Sequence, residues 1–247
     1  MAAARISTYG KDFARVYNRS WGGWTRNRAW PFVSGLVAER AGHARSWLDL
    51  CCGTGWLLKQ VCESGLEAVG LDQSRYQLAH ARRNAPAARL VRGDVRWFSL
   101  RRRFDVITCM FDSLNYLRRK NDLLRAFRNA RRHLQPAGLF IFDMNTYEGL
   151  RRGWSRTSVT RGPLGTLIME TSFDPERALG RALITGFVKA GKLYRRFQEE
   201  HVERGYRPRE IEDLLGRAGF RFKKRDGTDF GRAKKRSPRL LYACTAK

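Results

Sequence analysis

The sequence lacks several features that would place it in a specialised class of protein. Its 247 residues contain no apolar run near the roughly 20 residues that a membrane-spanning helix needs. The N-terminal stretch MAAARISTYGKDFARVY has no continuous apolar segment before its first charges, so we expect no secretory signal. The 43% of hydrophobic residues excludes a disordered chain. The length suits one sizeable domain with a proper core, without an internal repeat or a long linker.

Cysteines are few and show no spacing typical of a metal site. Cys51 and Cys52 are adjacent, and Cys62, Cys109 and Cys244 lie in apolar surroundings. An odd number of cysteines in strand-like segments is typical of buried free thiols in a reducing compartment. We therefore expect a cytoplasmic protein without a metal site.

Acidic residues are scarce relative to basic ones. The chain has 23 Asp and Glu against 49 Lys and Arg, which gives a net charge of +26. Such a surface attracts polyanions, so non-specific contact with nucleic acid is an expected property. The arginines are scattered through segments such as RRRF, LRRKND and RNARRH and form no single basic arm. We favour a compositional bias over a dedicated nucleic-acid site.

From residue 46 onward, short apolar runs alternate with segments of helical period. Five runs predict strands: SWLDLC, EAVGLD, ARLVRGD, FDVITCMF and GLFIFDMN. The helical segments between them are GWLLKQVCESG, SRYQLAHARRNA and NDLLRAFRNARRHLQPAG, the last ending at its Pro-Ala-Gly. The closing segments RFKKRDGT and RLLYACTAK add two strands. The pattern predicts an α/β, Rossmann-like fold with a mostly parallel seven-stranded sheet and helices on both faces.

Two further regions flank or interrupt this alternation. Residues 1–45 are rich in aromatic residues and predict a helical cap that contains Tyr9, Phe13, Tyr17, Trp21, Trp24 and Trp30. Residues 46–150 form the predicted core, and residues 151–205 alternate in polarity as in an antiparallel β-meander, with turns at Asp174-Pro175 and Ala190-Gly191. Residues 206–247 hold a last helix and the closing strands. We expect the meander to act as a lid.

The stretch WLDLCCGTGWLL predicts a strand ending at Leu50, a tight turn, and a helix beginning at about Trp56. Gly53 and Gly55 allow a ligand to approach the backbone, and the helix N-terminus offers free N–H groups. A dinucleotide loop would have a third glycine, which this loop lacks, and would not be preceded by an acid such as Asp49. A carboxylate at that position suits a cationic ligand better than a diphosphate.

At this loop the sequence resembles the class I S-adenosylmethionine (SAM)-dependent methyltransferases, whose motif is often LDLGCGTG. The resemblance implies that Asp72 binds both ribose hydroxyls, that Asp94 accepts the adenine amino group beside the Val95 backbone, and that Met110 and Phe111 lie near the sulfonium. The segment LQPAG matches the family's approach to the fifth strand, with Ala137 in place of a glycine. The full set implied to bind the donor is Tyr17, Trp24, Asp49, Cys51, Gly53, Thr54, Gly55, Asp72, Gln73, Gly93, Asp94, Val95, Met110, Phe111 and Asn115.

Cys51 departs from the family pattern because it replaces the first glycine of the motif. Cysteine is small and apolar, and we expect a mostly strand-like position that keeps cofactor binding. Cys52 is interpreted as a packed residue rather than a nucleophile, since no His or Lys lies near it in sequence to activate a thiolate.

The methyl acceptor is constrained by motifs that are missing. The fourth strand is followed by Phe111-Asp112-Ser113-Leu114 instead of the N/D-P-P-Y/F of nucleobase-amine methyltransferases, Cys109 lacks the preceding proline of pyrimidine enzymes, and no Lys-Asp-Lys-Glu set is found. The pair DSLNYL and FIFDMNT instead resembles the small-molecule branch that includes glycine or sarcosine and amino-sugar N-methyltransferases. This implies methylation at nitrogen or oxygen of a small molecule.

His201 has a pKa range suited to proton transfer near neutrality, and we predict it as catalytic together with Tyr17 and Asn115. The predicted acceptor-binding residues are Asp112, Tyr116, Asn145, Tyr147, Arg196 and Glu203. Two alternatives stay open: an RNA or ribosomal-protein methyltransferase, and a non-catalytic nucleic-acid-binding protein on the same scaffold. The chain itself can be a monomer or a homodimer, and no membrane partner is expected.

Overall fold

The computed structural model describes residues 8–228, 232–234 and 236–247, and the side chains of residues 21–24 and 26 lie outside this description. The strands within it, numbered in chain order, are β1 (Ser46–Leu50), β2 (Glu67–Asp72), β3 (Arg89–Arg92), β4 (Phe104–Cys109), β5 (Leu134–Asn145), β6 (Thr157–Gly162), β7 (Gly165–Asp174), β8 (Leu179–Ala190), β9 (Leu193–Arg204), β10 (Phe220–Asp226) and β11 (Arg239–Ala246). The helices are α1 (Lys11–Trp24), α2 (Trp30–Ala41), α3 (Trp56–Glu63), α4 (Arg75–Asn84), α5 (Lys120–His133), α6 (Tyr147–Gly153) and α7 (Pro208–Arg217).

Seven strands form one sheet in the order β10-β11-β5-β4-β1-β2-β3. Strands β1 to β5 run parallel to one another; α3, α4 and α5 form the crossovers from β1 to β2, from β2 to β3 and from β4 to β5, and an irregular connection joins β3 to β4. Strand β11 is antiparallel to both of its neighbours, β10 and β5. The predicted Rossmann-like, mostly parallel seven-stranded sheet is confirmed.

Helices cover both faces of this sheet. On one face, α5 and α7 bury Phe127 and Leu214 in a cluster that includes Phe140 and Phe142 of β5. On the other face, α2, α3 and α4 bury a second cluster that includes Leu58. Each fully buried side chain of this size contributes roughly 1.5–3 kcal/mol by leaving water. The two layers hold the strand ends in fixed positions, and loops at those ends form the site.

The N-terminal region differs in part from the predicted cap. Helix α1 packs against α4 and against β9 of the second sheet, and it continues through a π-helical segment, Thr25–Ala29, into α2. Helix α2 buries Val33 and Leu36 against the sheet and places Trp30 against Trp47. The prediction of one cap over residues 1–45 is therefore wrong for α2, whose apolar face is a layer of the core.

The fifth strand begins earlier than predicted. Helix α5 ends at His133, and β5 starts at Leu134, before the Pro-Ala-Gly that was expected to end the helix. Pairing with β4 shifts register between Phe104 and Val106, which leaves the stretch around Pro136 without regular partners. This irregularity accommodates a residue that has no backbone N–H to donate.

The predicted meander forms a second, four-stranded antiparallel sheet in the order β6-β7-β8-β9. Its last strand reaches back to the main sheet, where Tyr206 pairs with Thr146 in an isolated bridge. The N-terminal segment before α1 also contacts β9, because Thr8 donates a hydrogen bond to the carbonyl of Glu200. Among the described helices, none combines the length and the apolarity that a membrane span requires.

Candidate functional site

A cavity of about 1050 Å³ lies at the carboxyl ends of β1, β2 and β3. This is where the strand order reverses, because β1 has β4 on one side and β2 on the other. Open α/β sheets bind ligands at such a point. Of the predicted donor-binding residues, the lining includes Tyr17, Cys51, Gly53, Asp72, Gln73, Gly93, Asp94 and Val95.

The loop after β1 is shaped by three residues in the left-handed region. Gly53 has a φ of 54° and Gly55 a φ of 79°, and a side chain on Gly55 would meet Ala81 at 2.9 Å. Cys51 has a φ of 55°, so the expectation of a strand-like position for it is wrong. The turn that follows β1 requires this conformation, which a glycine adopts without the strain that a side chain adds.

Asp72 is held at the cavity wall by backbone donors. Its Oδ2 accepts a hydrogen bond from the Gly53 amide at 2.9 Å, and its Oδ1 accepts one from the Ser74 amide at 2.8 Å. Burial raises the pKa of this carboxyl, and the two amide bonds oppose that rise. Each oxygen keeps an acceptor position, so a ligand with two hydroxyl donors fits it.

Asp49 lies at the inner end of the site, beside a small cavity of about 30 Å³. It is buried and accepts a hydrogen bond from the Thr108 hydroxyl at 2.6 Å. Burial raises the pKa of Asp49 to about 7, and the nearby Asp72 adds to the rise. The other predicted donor-binding residues that line this small cavity are Tyr17, Cys51, Gly53, Thr54, Met110 and Phe111.

Asp94 lines the cavity with its carboxylate engaged by Arg96, a contact that the sequence reasoning missed. The Arg96 guanidinium donates to both carboxylate oxygens of Asp94, at 2.9 and 2.7 Å. The same side chain reaches Asp122 at 3.2 Å. The sequence GDVRWF shows that Asp94 and Arg96 are two residues apart. The second acid, Asp122, belongs to α5, and the fold brings it near Arg96.

Aromatic side chains of the N-terminal region close the cavity on one side. Tyr9 and Tyr17 both line it, and their ring centroids are 5.8 Å apart. Phe13 packs against both rings. Burial raises the pKa of Tyr17, with Asp112 and Asp72 adding to the effect, so its phenol stays protonated. The side chain of Trp24, another predicted member of the cap, lies outside the described residues.

His201 lies behind the cavity wall rather than in it. It is 4% exposed, it lines neither described cavity, and its Nδ1 is 2.7 Å from the Tyr116 hydroxyl, which does line the larger one. Its Nε2 is 3.4 Å from the Glu199 carboxylate. Glu199 in turn accepts the backbone N–H groups of Tyr9 and Gly10, both at 2.7 Å. Among the described residues that line the cavity, Tyr116 is the one hydrogen-bonded to His201, and the Tyr9 ring packs against the imidazole.

Asn115 is not part of the cavity, which corrects its prediction as a catalytic and donor-binding residue. It is fully buried, its amide nitrogen donates to the carbonyls of Asn145 and Arg204, and its oxygen accepts the Asn145 amide. Through these hydrogen bonds the side chain connects β5 to β9. Both of its N–H donors are used, and full burial keeps the remaining acceptor position of the oxygen away from a substrate.

Three predicted acceptor-binding residues form a separate polar cluster. Asn145 donates to Asp112 at 2.6 Å and to Glu203 at 2.9 Å, and Arg239 forms an ion pair with Asp112 at 3.0 Å. Burial raises the pKa of Glu203, with the charge of Asp112 adding to the rise. The cluster lines neither described cavity and joins β5, β9 and β11. For these three residues the structure corrects the prediction of direct acceptor binding.

Tyr147 and Arg196 also lie away from the cavity. The Tyr147 ring packs edge-on against Phe173 and under the guanidinium of Arg207. Arg196 is exposed on β9, where the alternation of strand side chains turns it away from the site. Both predictions relied on residue type and position in the sequence, which do not show the direction of a side chain.

The two cysteines of the loop differ in their surroundings. Cys52 is 7% exposed, and burial raises the pKa of its thiol well above the usual value, with Asp72 and Asp49 adding to the rise. Cys51 is half-buried and lines both cavities. A thiol with a raised pKa is a poor nucleophile, which agrees with a packing role for Cys52.

Fold and site together define a nucleoside-binding α/β protein of the methyltransferase class. The sequence matches the family described as "Methyltransferase domain" over residues 48–138. It is 30% identical over 203 residues to the dTDP-3-amino-3,4,6-trideoxy-alpha-D-glucopyranose N,N-dimethyltransferase of Streptomyces venezuelae, covering 81% of this chain and 85% of that protein. It is 30% identical over 109 residues to a glycine/sarcosine N-methyltransferase of Halorhodospira halochloris, covering 42% of this chain and 41% of that one.

A solved structure extends the similarity along the chain. A SAM-dependent methyltransferase from Clostridium acetobutylicum superposes with a TM-score of 0.84 and 28% identity, covering 95% of this chain and 98% of that one. The chain belongs to the class I SAM-dependent methyltransferase family and is an enzyme of that family. Its methyl donor is SAM.

The residues at the cavity fit this donor. The tight turn at Gly53 and Gly55 brings the backbone close to the cavity, and Asp72 offers both carboxylate oxygens there. Asp49 and Asp72 place negative charge near a ligand whose ammonium and sulfonium groups are cationic. The site thus contains acceptors for a ribose and anionic partners for a cation.

Proposed function

We propose that the chain transfers the methyl group of SAM to an amine nitrogen of a small acceptor of the amino-sugar class. The observation that carries the proposal is the contact between Tyr116 and His201, which reaches the wall of the same cavity as Asp72 and Asp94. The Streptomyces relative, named for an amino-sugar acceptor, matches the chain across most of its length, whereas the glycine/sarcosine relative matches less than half.

In the proposed arrangement, Asp72 accepts the ribose hydroxyls, Asp94 accepts the adenine amino group, and Asp49 faces the ammonium end of the donor. When bound, SAM supplies an electrophilic methyl group on a sulfonium. Gly53 and Gly55 let the backbone follow the donor, and Tyr17 closes over it. Water is kept from the reacting atoms by the aromatic rings of Tyr9 and Tyr17.

The acceptor amine attacks as a neutral nitrogen and must lose a proton. Tyr116 presents its hydroxyl to the cavity and can donate to Nδ1 of His201 while its oxygen accepts the amine proton. Burial raises the pKa of Tyr116 well above its usual value, so the phenol acts as a carrier and not as a standing phenolate. Glu199 lies on the far side of the imidazole and stabilises the charge that His201 gains.

The charge of the cavity rim supports an acceptor with an anionic group. Arg118, Arg119, Arg177 and Arg204 line the cavity on the side of Tyr116 and the second sheet. Arg204 donates to the backbone carbonyl of Arg118 at 3.2 Å, which places these two residues side by side at the cavity. The donor is itself cationic and gains nothing from them. A phosphorylated or otherwise acidic acceptor would be attracted by these arginines.

The test is an acceptor screen with SAM and three kinds of substrate: nucleotide-linked amino sugars, glycine with sarcosine, and bulk RNA. Methylation of the amino sugars alone supports the proposal. The same amino sugars without their phosphates should require a higher KM. Methylation of RNA alone would replace the proposal with the RNA alternative, which the relatives named above do not favour.

Three finer points belong to the same proposal. We place the enzyme in a reducing cytoplasm, because the described cysteines are all free thiols. We propose that β6–β9 serve as the acceptor lid of a single functional unit. Contact with nucleic acid through the basic surface is proposed to be non-specific.

A further inference from the structure

The carboxylate of Asp94 has most of its acceptor positions occupied by a single neighbour. Oδ1 accepts both the backbone N–H and the Nε–H of Arg96, each at 2.9 Å, and Oδ2 accepts Nη2–H at 2.7 Å. A carboxylate offers about four acceptor positions, so about one remains for a ligand. That position is on Oδ2, and Asp94 lines the cavity.

Arg96 is itself held from the other side. Its Nη1 donates to Oδ2 of Asp122 at 3.2 Å, and the side chain of Asp122 is only 15% exposed. Asp122 follows the start of α5, which packs into the main core. The guanidinium is therefore fixed between Asp94 and Asp122, and all three side chains belong to residues that line the cavity. Planar bidentate pairing of this kind fixes the orientation of both groups.

The neighbouring Arg125 provides a natural control. Its Nη1 donates to the other oxygen of Asp122, Oδ1, at 3.2 Å, and its guanidinium stacks on the exposed Trp97 ring at 4.8 Å. Arg125 and Arg96 therefore share two neighbours, Asp122 and Trp97. The guanidinium of Arg96 lies 5.9 Å from the centroid of the Trp97 ring. Arg125 makes no contact with Asp94 among the described residues.

The electrostatic effect on Asp94 is consistent with this geometry. Hydrogen bonds from Arg96 hold the pKa of the Asp94 carboxyl below its usual value. An ionised carboxylate only accepts hydrogen bonds. It attracts a purine that has an amino group at position 6 and repels one that has a carbonyl oxygen there.

We propose that Arg96 is the positioning residue that makes donor binding specific for adenine, by presenting a single anionic acceptor of Asp94 to the 6-amino group. Arg96 acts through Asp94 and does not touch the donor in this account. The inference rests on the proposed placement of the adenine at Asp94. It does not depend on the identity of the methyl acceptor.

The experiment compares the binding of two ligands by calorimetry: S-adenosylhomocysteine and S-inosylhomocysteine, which differ at purine position 6. The proteins are the wild type, Arg96→Gln, Arg96→Lys, and Arg125→Gln as the matched control. The wild type should prefer the adenine ligand by about tenfold to a hundredfold, the range expected for one charge-assisted hydrogen bond. Arg96→Gln should weaken adenine binding by about tenfold and leave inosine binding nearly unchanged. Arg96→Lys should recover part of the preference, and Arg125→Gln should keep all of it.

The ratio of the two affinities separates positioning from a structural role. If Arg96→Gln weakens both ligands equally, or neither, Arg96 does not set the specificity and the inference is overturned. A wild type that binds both ligands equally overturns it as well. Asp122→Asn provides a second check. This substitution should lower the ratio of the two ligand affinities, and thermal melting should show that the variant is still folded. A failed methylation screen with the ratio intact would refute the proposed acceptor and leave this inference standing.

Discussion

The hydroxyl of Tyr116 lies 2.7 Å from Nδ1 of His201, although 85 residues separate them in the chain. The loop after β4 provides the phenol, and β9 of the second sheet provides the imidazole. The contact connects the donor-binding sheet to the meander. Among the described residues, Tyr116 is the one that connects the buried His201 to the cavity by a hydrogen bond.

Removing either partner of this contact should slow methyl transfer without affecting donor binding. Tyr116→Phe and His201→Gln are each expected to lower kcat by about a hundredfold, the usual contribution of a positioned proton acceptor. Affinity for S-adenosylhomocysteine should stay at the wild-type value, since neither residue faces the ribose or the adenine. Tyr147→Phe, a tyrosine outside the cavity, is the control and should keep full activity. Equal kcat in all four proteins would remove the relay from the mechanism.

Asp72 should dominate donor affinity. Asp72→Ala removes the proposed acceptor of the ribose hydroxyls and also frees the Gly53 amide, so binding should weaken by about tenfold to a hundredfold. Calorimetric titration with S-adenosylhomocysteine measures this directly. Glu67→Ala is a suitable control because Glu67 starts the same strand at its opposite, exposed end. A near-unchanged affinity in Asp72→Ala would contradict the placement of the ribose.

Position 51 should accept glycine and reject a β-branched residue. Cys51 has a φ of 55°, so Cys51→Val should cost about 1–3 kcal/mol in the free energy of unfolding and lower Tm. Cys51→Gly relieves the strain and should keep donor affinity within about threefold. Thermal melting and titration of both variants check this. A Cys51→Val protein as stable as the wild type would show that the loop is not held in this conformation.

Asp49 predicts a specific pH dependence. The pKa of its carboxyl is raised in the folded state to about 7, so the folded protein binds this proton more tightly than the unfolded chain does. Its burial therefore costs nothing at low pH, and the free energy of unfolding falls as pH rises from about 4 to about 7. Asp49→Asn removes that part of the slope and should be more stable than the wild type at pH 8, by on the order of a few kcal/mol.

The same substitution should weaken donor binding at pH 8, because the ionised Asp49 is the partner of the donor's ammonium group. Wild-type affinity should rise with pH through about 7, and the variant should show no such rise. Denaturant titrations at several pH values give the stability difference, and calorimetry gives the affinity. A variant that is both less stable and equally tight in binding would exclude this role.

Much of the fold could be predicted from the sequence because it depends on local patterns, and so could the presence of Asp72 and Asp94 at one cavity. Apolar runs and helical periods indicated every strand of the main sheet. Asp49, Asp72 and Asp94 were selected because each lies at or near the carboxyl end of a predicted strand. The conformation of Cys51 was predicted wrongly, since the residue type gave no sign that the turn requires a positive φ. Local pattern also could not show that α2 belongs to the core.

The acceptor side was harder to predict because it depends on contacts between distant segments. Asn115 and Asn145 were predicted at the site, yet their polar atoms are used within the scaffold. Glu199 was overlooked although it binds the backbone of Tyr9, since a glutamate on a charged strand looks like a surface residue. Arg196 was preferred for its charge, but the alternation along β9 places it outside the site.

The most direct test of the account is methyl transfer itself. Purified protein is incubated with SAM and a nucleotide-linked amino sugar, and the sugar is analysed by mass spectrometry, with the Tyr116→Phe protein run in parallel. We predict that the wild type methylates the amine nitrogen and forms one S-adenosylhomocysteine for each methyl group transferred. The rate of methylation should be much lower in the Tyr116→Phe protein. Tight binding of SAM with no methylation of any amine, or methylation that is equally fast in Tyr116→Phe, would contradict it.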